Sequence, residues 1–213
     1  MHRRAALLVV DVQVDFCPGG ALAVPKGDLV IPVLNGYLEL FKRRGSPIFA
    51  SRDWHPQESR HFIENGGIWP AHCVQQTQGA QFHPGLVLPE ETIVISKGIA
   101  KWDDGYSAMQ GVTEHDTPFV MLLKHMRLDH LYVGGLATDY CVRETALEAL
   151  KEGFNVTLLA DAVRGVELQA GNSDRAMAEM VHAGADMATL TSIGSMLVSE
   201  GEAAIANDRQ SPP

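Results

Sequence analysis

Short apolar runs that each stop at a polar residue or a glycine pair constrain this chain more than any other feature. Ala6–Val10 closes on Asp11, Thr92–Ser96 on Lys97-Gly98, Leu131-Tyr132-Val133 on Gly134-Gly135, and Val156–Ala160 on Asp161. Pro47–Ser51 is a further run, ending at Arg52-Asp53-Trp54-His55-Pro56. A brief apolar stretch without alternation fits a strand buried on both faces, as in a parallel sheet. Helix-spaced stripes lie between the runs. Ile31, Leu34, Leu38 and Phe41 follow Asp28, a plausible N-cap, and Lys42-Arg43-Arg44-Gly45 closes that helix. Phe119, Leu122, Leu123 and Met126 follow Pro118, and Val142, Ala146, Ala149 and Leu150 precede Gly153. A helix from about Asp174 to His182 and a strand–helix pair over Met187–Glu200 complete the series. Strands alternating with helices give an α/β sheet covered on both faces. Right-handed crossovers then bring every strand's carboxyl end to one edge, where open α/β sheets bind ligands.

At 213 residues the chain reads as one domain over 1–202 with a polar, Pro-ended tail over 203–213. A net charge of −9 argues against nucleic acid or an anionic membrane as partner. The apolar run after Met1-His-Arg-Arg stops at Asp11, too short for a signal peptide core, so the cytoplasm is the default location. Three cysteines, an odd number, do not build a disulfide framework.

Four strand ends carry chemistry: Asp11, Asp53 with His55, Lys97, and Cys141 after the glycine pair. Cys141 falls at a strand-to-helix turn, where unpaired N–H groups and the helix dipole favour a thiolate. The alternative is a small buried hydrophobe. A carboxylate such as Asp11 can take a thiol proton and return it to a leaving amine, and the Lys97 charge favours both anions. Backbone N–H groups beside Cys141 offer an oxyanion hole, each donor worth about 3 kcal/mol.

Asp53-x-His55 and His72, with His61 as a fourth candidate, suit a metal ion with open coordination positions. His72 and His61 come from Gln57–Pro89, a stretch without periodicity and too long for an idle loop. Phe16, Trp69 and Tyr106 could wall a pocket for a flat ring, or simply pack in the core.

Asp11-Val-Gln13-x-Asp15-Phe16, Arg52-Asp-Trp-His-Pro56, Trp69-Pro-x-His-Cys73, Ser96-Lys97-Gly98 and Gly135-x-Ala137-Thr-Asp-Tyr-Cys141-Val142 together resemble the nicotinamidase/pyrazinamidase branch of the isochorismatase-like cysteine hydrolases. The likeness runs from about Ala6 to about Ala188. It implies a three-layer α/β/α fold around a six-stranded parallel sheet. It also implies an Asp11, Lys97, Cys141 triad and an oxyanion hole from the Ala137 and Cys141 amides, with a cis Leu136–Ala137 peptide. The implied metal ligands are Asp53, His55 and His72, joined by His61 at the spacing of an additional ligand. Phe16, Trp69, Tyr106 and Leu136 would bind the ring. One departure stands out: many members carry an Asn-His pair after the Asp-Trp-His-Pro run, and here Ser59 holds that histidine's position.

The expected activity is hydrolysis of nicotinamide to nicotinate and ammonia through a cysteine thioester, the ring nitrogen held by one divalent ion. Zinc is the first choice, with iron and manganese as alternatives. A related amidohydrolase acting on pyrazinamide, a ureido or a carbamoyl compound is the second reading, and a non-catalytic binding domain the third. The expected partner is a small amide; whether the chain forms a homo-oligomer is open.

Overall fold

A computed structural model describes residues 4–195. Six strands form one all-parallel sheet: β1 (Ala5–Val10), β2 (Ile48–Asp53), β3 (Ile93–Lys97), β4 (His130–Leu136), β5 (Asn155–Arg164) and β6 (Asp186–Ala188), in spatial order β3-β2-β1-β4-β5-β6. The strand β1 lies inside the sheet and is buried along its whole length. Its side chains divide by parity. Ala5, Leu7 and Val9 enter one apolar layer, and Ala6, Leu8 and Val10 enter the other.

Helix α1 (Val30–Arg43) fills the first layer with Leu34, Tyr37, Leu38 and Phe41, joined by Ile193 from the helical residues 190–195. Helices α2 (Phe119–His125), α3 (Arg143–Lys151) and α4 (Asn172–His182) cover the second with Phe119, Leu123, Ala146, Ala149 and Met180. Each large apolar side chain so buried contributes about 1.5–3 kcal/mol. The expected three-layer architecture is therefore the observed one. Residues 196–213, which hold the expected tail and the close of the expected Met187–Glu200 pair, lie outside the described residues.

Two sequence expectations shift. Asp28 does not cap α1: it sits in a 3-10 turn (Gly27–Leu29), and Leu29 occupies the cap with no side-chain bond. Asp161 does not end its strand, because β5 continues to Arg164 past a register shift against β4. Its carboxylate is held instead by Tyr37 Oη–H at 2.8 Å and Leu190 N–H at 2.9 Å. Gln57–Pro89 contains only one 3-10 turn (Ile63–Asn65) and isolated bridges, including Gln13 with Phe82 and His55 with Val74. Among the described residues no helix is long and apolar enough to cross a membrane.

Candidate active site

The carboxyl ends of β1, β2, β3 and β4 meet as the strand-end rule requires. Asp11 follows β1 directly and turns the chain with φ 49°, a conformation that Asp tolerates better than most residues. Asp53 and Lys97 are the last residues of β2 and β3 and are paired in register. After β4 comes the cis Leu136–Ala137 peptide, then a π-helical turn (Thr138–Val142) that holds Cys141 and leads into α3. Gly135 must be glycine: a Cβ there would lie 2.0 Å from Val10 O, so no side chain fits between β4 and β1.

Lys97 is the centre of the cluster and is almost wholly buried. Its Nζ lies 2.7 Å from Asp11 Oδ2 and 3.5 Å from Cys141 Sγ. It also donates to Asp53 Oδ1 and to the Gly105 carbonyl. Ser51 Oγ–H donates to the other Asp11 oxygen at 2.7 Å. Burial pushes the Asp11 carboxyl up to about 6, although Lys97 opposes the rise. Burial would raise Asp53 too, but Lys97 and the neighbouring imidazoles hold it below the usual carboxylate range.

Cys141 differs from the sequence expectation. Burial drives its thiol well above the ordinary value, against the pull of Lys97, and the Asp11 and Asp53 charges add to the rise. The resting group is a thiol, and a base is needed to ionise it. A helix dipole stabilises a thiolate at an open helix start, whereas Cys141 sits in a buried π turn closed by Tyr140 and Val142 N–H groups on Ala137 O.

Beside this cluster stand three imidazoles. One ligand atom from each of His55, His61 and His72 lies within 4.8 Å of the others. Asp53 Oδ2 is 3.7 Å from His55 Nε2 and 3.8 Å from His72 Nε2. His72 Nδ1 meets Pro70 O at 2.7 Å, which fixes the tautomer and leaves Nε2 as a lone-pair donor. Both ring nitrogens of His55 are buried without a hydrogen-bond partner. An orphaned Nε2 facing the Asp53 carboxylate fits a divalent cation. Burial keeps His72 and His61 neutral, His61 down to about 4, which suits them as ligands. Ser59 stays apart: its Oγ accepts the His61 N–H at 3.2 Å and so shapes the turn that delivers His61, whose ring stacks on His55.

Both groups open into one cavity, lined by Phe16, Trp69, Tyr106, Ala137 and Cys141 together with Asp53, His61 and His72. Trp69 Nε1–H donates to Tyr106 Oη at 2.9 Å, locking two aromatic walls together. Leu136, expected in the ring pocket, is not there. It is fully buried in the apolar layer under the site, and the cavity begins at Ala137. Sequence reasoning missed Tyr140, Leu22, Val166 and Asp104 in the same wall. Tyr140 could have been found from its place beside Cys141. Val166 is seated by Asp139, whose carboxylate accepts the Val166 and Glu167 N–H groups, and no short-range pattern signals that link.

Architecture and site together define a class: a doubly covered parallel α/β domain with a buried thiol, ammonium and carboxylate at its carboxyl-terminal edge. Within that class the chain belongs to the isochorismatase family, since the isochorismatase domain model matches residues 5–192. The chain is 41% identical over 201 residues to a nicotinamidase of Escherichia coli, covering 87% of this chain and 94% of that protein. Among solved structures it is similar to the pyrazinamidase of Pyrococcus horikoshii in complex with zinc, with TM-score 0.80 and 45% identity over 87% of this chain and 99% of that one. It is also similar to PnC1 from L. infantum in complex with nicotinate, with TM-score 0.77 and 34% identity over 88% and 93% of the two chains.

Proposed function

We propose that this chain is an amidohydrolase that converts nicotinamide to nicotinate and ammonia. The observation that carries the reading is that Cys141, backed by Lys97 and through it by Asp11, opens into one aromatic-walled cavity with Asp53, His61 and His72. Kinship with a nicotinamidase at 41% identity and with a nicotinate-bound relative at 34% supports the substrate.

Asp53, His55 and His72, with His61 beside them, would hold one divalent ion, and zinc is supported by the pyrazinamidase relative that binds it. Once bound, that ion supplies a coordination position for a heteroaromatic nitrogen and so a fixed orientation for the ring. Phe16, Trp69 and Tyr106 bound the ring's faces and edges. Asp11, near neutrality at about 6, takes the proton from Cys141 Sγ. The thiolate, 3.5 Å from the Lys97 ammonium, attacks the carboxamide carbon. The Ala137 and Cys141 N–H groups receive the developing oxyanion. Asp11 returns its proton to the departing nitrogen, which leaves as ammonia, and a thioester remains on Cys141. Water, deprotonated by Asp11, then cleaves the thioester to the carboxylic acid and restores the thiol.

The test is ammonia release from nicotinamide, pyrazinamide and a ureido compound by the wild-type chain and Cys141→Ala. Wild-type turnover of nicotinamide and none by the variant, with nicotinate binding retained, is the expected result. Ammonia release by the variant at a near-normal rate refutes the mechanism, and preference for the ureido compound refutes the substrate.

A further inference from the structure

Gln13 belongs to the motif after β1, yet the mechanism above gives it no task. It is fully buried. Its side chain makes three hydrogen bonds: Oε1 accepts the Asp53 N–H at 2.8 Å, and Nε2 donates to Asp53 O at 2.8 Å and Ala80 O at 2.9 Å. The reason lies in the sheet. The ladder between β1 and β2 ends at Val10 with Ser51, followed only by Asp11 N–H on Ser51 O at 3.1 Å. Beyond that point β1 has turned away at Asp11, while β2 runs on to Asp53. The inner edge of Asp53 would then present a buried N–H and C=O with no strand beside them. An amide side chain has the donor and acceptor of a peptide group, and Gln13 supplies both where the main chain has left.

The same carboxamide reaches Ala80 O in the long segment after β2, and the Gln13 backbone bridges to Phe82. It therefore ties two segments, its own and the one holding Ala80, to the residue whose carboxylate faces two ways. Asp53 Oδ1 faces Lys97, and Oδ2 faces His55 and His72.

We infer that Gln13 is a positioning residue: its carboxamide stands in for the missing strand at Asp53 and sets the Asp53 carboxylate between the lysine and the histidine group. The inference rests on the metal reading above and concerns this chain's affinity for the ion. Partners of this kind behind a ligand change metal affinity by about 10–100-fold.

The experiment uses the full chain stripped of metal and titrated with zinc against a chromophoric chelator. Gln13→Glu keeps the size and the acceptor for Asp53 N–H but turns a second oxygen toward two carbonyls. Gln13→Met removes all three bonds. Tyr37→Phe, which loses only the bond to Asp161 away from the site, controls for stability. The expected result is one zinc per wild-type chain, a dissociation constant raised about 10–100-fold in both Gln13 variants, and no change in Tyr37→Phe. If Gln13→Met does not fold, Gln13→Glu carries the comparison. Wild-type affinity in the folded Gln13 variants, or equal weakening in Tyr37→Phe, overturns the inference while leaving the metal reading standing. A wild-type chain that takes up no zinc overturns the metal reading, and the inference with it.

Discussion

Replacing Gly98 by alanine should weaken metal binding although no side chain of the site is substituted. Gly98 follows Lys97 with φ +65°, and an added Cβ would lie 2.4 Å from His55 Cε1 and 2.6 Å from its Nδ1. Ordinary contact begins near 3.4 Å, so the ring must retreat by about 1 Å. It has nowhere to go. His55 is fully buried, with the rings of His61, His72 and Phe62 centred 5.0, 5.2 and 5.4 Å away. Left-handed backbone adds about 1–2 kcal/mol for any L side chain. Gly153 separates the two effects: its φ is +88°, but an added Cβ meets nothing within 4 Å. Gly153→Ala therefore pays the backbone cost alone. Urea unfolding of the zinc-free proteins should show both variants destabilised by about 1–2 kcal/mol, with Gly98→Ala the worse. Zinc titration should show affinity lowered about 10–100-fold in Gly98→Ala and unchanged in Gly153→Ala. Wild-type zinc affinity in Gly98→Ala would show that the His55 ring has slack, and close packing against Gly98 would then not be what holds it.

Three further outcomes follow from the buried charges. Lys97→Met strands two buried carboxylates and should cost about 3–5 kcal/mol in urea unfolding at pH 8, and less at pH 5, where Asp11 takes up a proton. Because Asp11 accepts the thiol proton only when ionised, kcat/KM should climb from acid pH with a midpoint near 6. For stability the sign is opposite. A folded value of about 6 above an ordinary 3.8 means that the Asp11 contribution is full below 3.8 and lost as pH rises through 6. The unfolding free energy of Asp11→Asn in urea should therefore gain on wild type by about 2 kcal/mol between pH 4 and pH 7, and a constant difference would contradict the raised value.

The parallel sheet was legible because unbroken apolar runs have few other uses, and the strand-end rule then converged Asp11, Asp53, Lys97 and Cys141 on one place. What escaped was set by contacts distant in sequence. Asp161 looks like a strand end until Tyr37 and Leu190 claim its oxygens. The protonation of Cys141 depends on burial and on two carboxylates from other strands, and helix-end reasoning includes neither. The walls contributed by Leu22, Asp104 and Val166 come from irregular segments, where no periodicity marks which way a side chain faces. The part Gln13 plays is visible only once β1 and β2 are known to part company after Val10.

The sheet order also has a consequence for durability. Lys97 rides on β3, one of the sheet's two edge strands, whose outer flank has only the Val112 bridge to Ser96 as backbone pairing among the described residues. A rim strand has the fewest neighbours to hold it and is among the first parts of a sheet to fray. On warming, the ammonium that binds both carboxylates would come loose with it while the centre of the molecule is still intact. Loss of activity on heating would thus be set by the sheet's margin rather than by its well-packed middle.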